Sequence, residues 1–89
     1  MNKNVLRIIN APENKHRAAA TARAIRKCQS RALEIADEAD MDGRHGIARA
    51  LRRKVASPNV NDITVKHLSQ NVRVTITAYG VSATGDARG

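Results

Sequence analysis

The chain has 89 residues, a formal net charge of +8 and a single aromatic residue, Tyr79. This length allows one modest core, and the lack of Trp and Phe makes that core thin, so a dimer would add useful buried surface. The lone Cys28 excludes an internal disulfide, and no apolar run reaches the ~18 residues that a transmembrane helix needs. We therefore expect a cytoplasmic protein without a membrane partner, with one compact basic domain over residues 1–80.

The excess of basic residues favours a polyanionic partner. Sixteen Lys and Arg stand against eight Asp and Glu, a balance typical of proteins that bind nucleic acid or an acidic protein surface. Arginine is the commoner base here, and it is the better group for bidentate contacts with phosphate or guanine. With Tyr79 alone, the aromatic stacking that RNA and single-strand binding usually use is disfavoured, although an arginine-rich helix could still dock on structured RNA. Double-stranded DNA is therefore the partner we expect.

Residues 4–10, NVLRIIN, form a short apolar run that includes three β-branched residues. Such a run predicts an N-terminal strand, which either pairs inside the fold or, as the alternative, places Arg7 in a DNA groove. Asn10 and Glu13 follow with the spacing of a capping box, so a helix is expected to begin there.

The stretch from Pro12 to about Asp40 contains no Gly and no further Pro, and it is rich in alanine, which predicts a long amphipathic helix. Small and apolar residues recur on one face of it at spacings of three and four. This alanine seam consists of Ala18, Thr21, Ile25, Cys28, Ala32, Ile35 and Ala39. Because alanines allow close approach, we expect the seam to pack against a partner helix and to form a homodimer.

Charge is segregated along this helix. Residues 15–31 hold six bases and no acid, and residues 34–42 hold five acids and no base. Acids late in a helix oppose its dipole. Two interpretations stay open: the acids lie near the N-terminus of the next helix or pair with neighbouring bases, or they form an acidic patch that orients the basic surfaces beside it.

A turn and a second helix follow the acidic segment. Gly43 is expected in the left-handed region and Asp42 as the cap of a basic helix over residues 45–55. Small and apolar residues are spaced across the turn as Ile35, Ala36, Ala39, Met41, Ile47, Ala50 and Leu51. Over residues 32–53 this spacing resembles helix-turn-helix DNA-binding regulators at the superfamily level. Asp40 stands where that family usually has a left-handed glycine.

The resemblance implies a recognition helix that presents its exposed side chains to DNA: Arg44, His45, Arg49, Arg52 and Arg53. Lys54 extends this set, and the bases of the first helix would add phosphate neutralisation through Arg23, Arg26, Lys27 and Arg31.

The last third of the chain is β-rich. Residues 72–79 alternate strictly, which predicts a strand with its apolar members on one face. Residues 60–70 are compatible either with the first strand of a β-hairpin turning at Ser69–Asn71 or with a short third helix. Residues 81–89 resemble a flexible C-terminal tail.

These elements predict an α+β fold: N-terminal strand, long amphipathic helix, turn, basic helix, and a C-terminal β-hairpin or helix–strand unit. The histidines His16, His45 and His67 lack ligand spacing, and no catalytic constellation is evident. We therefore expect neither an enzyme nor a metal or cofactor site. The favoured function is that of a dimeric double-stranded DNA-binding regulator. The alternative is a small inhibitor, of the kind carried by phages and plasmids, that docks on an acidic protein surface or a nucleoprotein complex.

Overall fold

A computed structural model of the chain describes residues 3–59 and 61–89. These residues form an α+β fold in which three α-helices precede a three-stranded antiparallel sheet of order β1-β2-β3. The elements are α1 (Lys3–Asn10), a 3₁₀ turn (Lys15–Arg17), α2 (Ala18–Met41), α3 (His45–Ala56), β1 (Ile63–His67), β2 (Asn71–Ala78) and β3 (Val81–Arg88). Every helix in the described residues is too short or too polar to cross a membrane.

Residues 4–10 are helical, so the predicted N-terminal strand is wrong. α1 buries Val5, Ile8 and Ile9. Their spacing of three and then one is that of a single helix face, whereas a strand would bury every second residue. The β-branched content of the segment hid this spacing.

The predicted capping box is not formed, because the long helix begins later than expected. Asn10 is the last residue of α1, and α2 starts at Ala18 with no side-chain cap among the described residues. The connecting segment is held by Asn14, which is buried and whose side-chain amide donates to the Ile8 carbonyl at 2.7 Å.

α2 buries the alanine seam as predicted. Five of its seven residues are buried and the other two are half-buried. The covering elements are β3, β2 and α3 of the same chain, so the predicted route to a homodimer through the seam is wrong. A single helix hairpin cannot cover a face this long, and the sheet supplies the rest of the contact.

A Schellman motif ends α2. Gly43 is left-handed with φ +78°, which confirms the prediction at that position. The Arg44 amide donates to the Ala39 carbonyl at 2.8 Å, and the Gly43 amide donates to the Asp40 carbonyl at 3.0 Å. Asp40 therefore lies inside the helix. Asp42 was expected to cap α3, but within the described residues no side chain caps that helix.

The C-terminal third is a meander of three strands. The segment left open over residues 60–70 contains β1, so its hairpin alternative is confirmed for the described part; Val60 lies outside the described residues. β3 pairs with β2 from Val81 to Arg88, so the predicted flexible tail over residues 81–89 is wrong. The predicted inward face of β2 is confirmed by burial of Val72, Val74, Ile76 and Ala78.

α2 crosses β3 at backbone contact. A Cβ added at Gly85 would lie 2.3 Å from the Cys28 amide nitrogen and 2.5 Å from the Ala24 carbonyl oxygen. Only glycine fits at this crossing, and it brings the helix directly onto the sheet. The helices therefore cover one face of the sheet, which leaves the outer face without a helix in the described part of the chain.

Candidate nucleic-acid interface

Ion pairs join the acidic end of α2 to α3. Arg52 contacts Asp37 at 2.9 Å and Asp40 at 2.5 Å, and the Nδ1 atom of His45 lies 2.8 Å from the other oxygen of Asp40. These contacts favour the first of the two interpretations of the acidic segment, in which its carboxylates pair with neighbouring bases. Two of the predicted DNA-contacting residues are thus engaged within the chain.

Asp40 is the centre of this network. Hydrogen bonds from His45 and then from Arg52 hold the pKa of its carboxyl below the usual value of 3.8. The same pairing raises the pKa of Arg52, first through Asp37 and then through Asp40. The groups are solvent-exposed, so the network adds little stability. Its effect is to engage the side chains of Arg52 and His45 within the chain, while the buried Ala48 and Leu51 set the rotation of α3 against α2.

Three more of the predicted bases have partners close by. Arg31 contacts Glu34 at 3.0 Å and Glu38 at 3.7 Å along the same helix. Arg44 contacts Asp42 at 3.3 Å. The ammonium of Lys54 donates to the Thr77 carbonyl at 2.7 Å and lies 3.4 Å from Asp62, which joins α3 to the sheet.

Arg49 and Arg53 differ from their neighbours on α3. Both are exposed, and neither has an ion pair within residues 3–59 and 61–89. They lie on the side of the helix opposite the fully buried Leu51, separated by one turn, or about 6 Å along the axis. These two guanidinium groups therefore point outward from a helix whose buried face is packed on the core.

The predicted bases of α2 do not share that surface. Arg23 donates to the carbonyl of Arg88 at 2.7 Å, across the open edge of β3. Lys27 lies on the same side of α2; the pKa of Asp86 is lowered mainly by the hydrogen bond from Arg73 and to a smaller extent by the charge of Lys27. Arg26 is exposed, and its helical spacing puts it on the same side of α2 as Asp37. Because Asp37 contacts Arg52, this is the side nearer α3. The ten predicted residues thus divide between two faces of the molecule.

The sequence prediction missed the bases on the outer face of the sheet, namely Lys66, Arg73 and Arg88. We call these three bases, together with Arg23, Lys27 and Asp86, the sheet corner. A signal existed: a hairpin turning at residues 69–71 places Lys66 opposite Arg73 on the outer face. Arg88 was missed because small residues made β3 resemble a tail.

Arg73 and Asp86 form the best-aligned ion pair of the sheet corner. The Arg73 guanidinium donates to both carboxylate oxygens, at 3.0 Å and 3.2 Å. This contact is the main cause of the lowered pKa of Asp86 and of the raised pKa of Arg73. At the same end of the sheet, Arg17 donates to the carbonyls of Leu68, Ser69 and Asn71 and holds the β1–β2 turn on the start of α2.

Comparison with protein-family profiles, with curated protein sequences and with solved structures gives no match for this chain. Any functional conclusion therefore depends on the geometry and charge of its own residues.

Proposed function

We propose that this protein binds double-stranded DNA and that the outer face of α3 makes the contact. The observation that carries the proposal is that some bases of α3 are paired with acids of the chain and others are not. Arg49 and Arg53 are exposed, outward-facing and unpaired within the described residues, whereas Arg52 and His45 are tied to α2. A helix whose rotation is fixed and whose outermost cations are unpaired suits a duplex groove or its phosphates.

Within this proposal the paired residues position the helix. Arg52 and His45 join α3 to α2 through Asp40, and Lys54 joins the other flank of the helix to the sheet. Arg26, exposed on α2, adds a phosphate contact beside α3. Regulation of transcription or of another DNA transaction from a cytoplasmic location belongs to the same proposal. A regulatory dimer would need a surface other than the alanine seam, which the chain itself covers.

The test is fluorescence anisotropy on a labelled random duplex in a salt series. The double variant Arg49→Ala/Arg53→Ala should bind about tenfold or more weakly at physiological salt, and its log–log salt slope should fall by about 2 units, one for each phosphate contact. The matched control is Lys3→Ala/Arg7→Ala, which removes the same charge from the exposed side of α1. Equal affinities of the two double variants would refute the proposal.

A second function is favoured by the charge balance around α3. Residues 31–56 hold six bases and five acids, a net charge of +1 with histidine neutral. Acids this close to the contact helix repel the phosphates along a duplex, whereas a protein partner can place an acidic patch against Arg49 and Arg53 and its own cations against these acids. On this alternative the protein is a small inhibitor that docks on an acidic protein surface or a nucleoprotein complex. A pull-down from nuclease-treated lysate distinguishes the two, because a protein target should survive the nuclease and should be lost with Arg49→Ala/Arg53→Ala.

A further inference from the structure

The sheet corner carries more positive charge than α3 and its surroundings. Five bases and one acid give it a net charge of +4, against +1 for residues 31–56. Its strand residues lie on the outer face of the sheet, and Arg23 and Lys27 of α2 join them at the open edge beside β3. The excess charge of the protein is thus concentrated on a surface that the resemblance to helix-turn-helix regulators does not include.

The members of the sheet corner are contiguous. Lys66 lies directly opposite Arg73, and Arg73 lies directly opposite Asp86, so one row crosses all three strands. Neighbouring strands are about 4.8 Å apart, which places these side chains side by side. Arg88 follows Asp86 on the same face of β3, and its carbonyl accepts from Arg23 at 2.7 Å.

Folding stability does not account for this arrangement. Like charges directly opposite each other on a sheet are destabilising, and Lys66 has no ion pair among the described residues that would compensate its position beside Arg73. Both carboxylate oxygens of the single acid, Asp86, accept hydrogen bonds from Arg73. The remaining cations are therefore left without a full counter-charge, as in a surface that awaits a polyanion.

The next rows of the outer face carry hydroxyl groups. Thr64, Thr75 and Thr84 form a row across the three strands, and beyond it the hydroxyls of Thr77 and Ser82 lie 3.2 Å apart. Hydroxyl side chains bind phosphate oxygens and tolerate any base. With the sheet corner at one end, this face offers charge and hydrogen-bonding groups but no aromatic stacking platform, which suits a duplex better than a single strand.

From this placement we infer that the sheet corner and the threonine row beside it form a second binding surface for double-stranded DNA, which contacts the phosphate backbone without reading sequence. The inference takes its ligand, double-stranded DNA, from the proposed function. In other respects it is independent, because the two surfaces share no residue. Arg73 acts here as a positioning residue, held by Asp86, while Lys66, Arg88, Lys27 and Arg23 contact phosphates. A protein with two such surfaces on different faces can bridge two duplex segments.

The experiment compares three double variants on the same labelled random duplex from about 50 to 200 mM salt. Lys66→Ala/Arg88→Ala removes two cations of the sheet corner, Arg49→Ala/Arg53→Ala removes the α3 pair, and Lys3→Ala/Arg7→Ala is the charge-matched control. Circular dichroism and thermal melting of each variant establish that the fold is kept. Loss of the two sheet-corner cations should weaken duplex binding about tenfold relative to the control. The slope of log affinity against log salt concentration should fall by about 2 units.

Each outcome separates the two surfaces. If both variants bind more weakly than the control, both surfaces contact DNA. If only Lys66→Ala/Arg88→Ala is weakened, this inference stands and the proposal for α3 fails. If only Arg49→Ala/Arg53→Ala is weakened, the sheet corner is not a DNA surface and the inference is overturned. Absence of duplex binding by the unmodified protein at low salt, or an effect of the sheet-corner variant on single-stranded RNA alone, would overturn it as well.

Discussion

The two halves of α2 make contacts of opposite character. In its first half, Cys28 lies against Gly85 at backbone distance, in a contact without charge from which solvent is excluded. In its second half, Asp40 pairs with Arg52 and His45 in a contact that is open to solvent. One helix is thus held to the sheet by a close backbone contact, whereas its buried apolar packing on α3 through Ala36 and Ala39 is accompanied by exposed ion pairs at the edge.

The difference separates what holds the fold from what orients the candidate DNA-binding helix. A close backbone contact depends on the volume of the residues that meet there. Because no charged group takes part, pH and salt do not change it as long as the protein stays folded. Exposed ion pairs contribute little free energy and are screened by salt. Changes at the crossing with Gly85 should therefore alter stability strongly, while changes to the exposed ion pairs of Asp40 should alter it little.

The largest effect is expected at the crossing of α2 and β3. In Gly85→Ala the new Cβ would overlap the backbone of Cys28 and Ala24, and neither can move without lifting the helix. We expect the free energy of unfolding to fall by about 3 kcal/mol or more, which for a domain of this size can prevent folding. Urea denaturation followed by circular dichroism measures it.

The matched control is the same substitution at Gly46. Nothing lies within 4 Å of a Cβ added there, and the residue is in the first turn of α3. Gly46→Ala should therefore raise the free energy of unfolding by up to about 0.5 kcal/mol, because alanine is the better helix former. Two glycine-to-alanine changes with effects of the same sign and size would contradict the close contact at Gly85.

Sequence patterns predicted the elements whose periodicity is strong. The long helix, the basic helix and the alternating strand β2 follow directly from apolar spacing, and Gly43 marks the turn. The errors fall on α1, where β-branched residues carry helical spacing, and on β3, whose buried face consists of Ala83, Gly85 and Ala87. Such small residues give a weak hydrophobic signal, although they are the residues that let α2 approach.

The candidate site was predictable only as a set of bases. Composition identified the arginines of α3, but their pairing depends on which acids the turn brings beside them. Arg49 and Arg52 are both predicted as exposed bases of the same helix. Only the packing of α2 against α3 gives Arg52 two carboxylate partners. The sheet corner depends on strand register, which places Lys66, Arg73 and Asp86 in one row. The register of β3 does not follow from the sequence, because the small residues of 81–89 resemble a tail.

The uncharged contact can be probed through its thiol. Burial raises the pKa of Cys28 to about 11, only partly offset by a backbone hydrogen bond from Ile76, and its thiol donates to the Ala83 carbonyl at 3.2 Å. Relative to the ordinary value of 9.0, this leaves about 100-fold less thiolate at pH 8. Iodoacetamide should therefore label the folded protein at least about 100-fold more slowly than the protein in guanidinium. Equal rates would mean that α2 opens from β3 freely.

The smallest effect is expected at the charged contact, and it appears only in acid. The pKa of Asp40 is lowered in the folded protein, first by His45 and then by Arg52, so its ionised form stabilises the fold above the unfolded-state value of 3.8. That contribution is lost as the pH falls through the lower folded-state pKa. Stability measured by urea denaturation from pH 7 to pH 3 should therefore decline less for Asp40→Asn than for the unmodified chain. An NMR titration that follows the carboxyl carbon of Asp40 measures its pKa directly. An ordinary pKa for Asp40 would show that its ion pair with Arg52 does not form. Salt should diminish the same shift, because the pair is exposed, while leaving the contact at Gly85 unchanged.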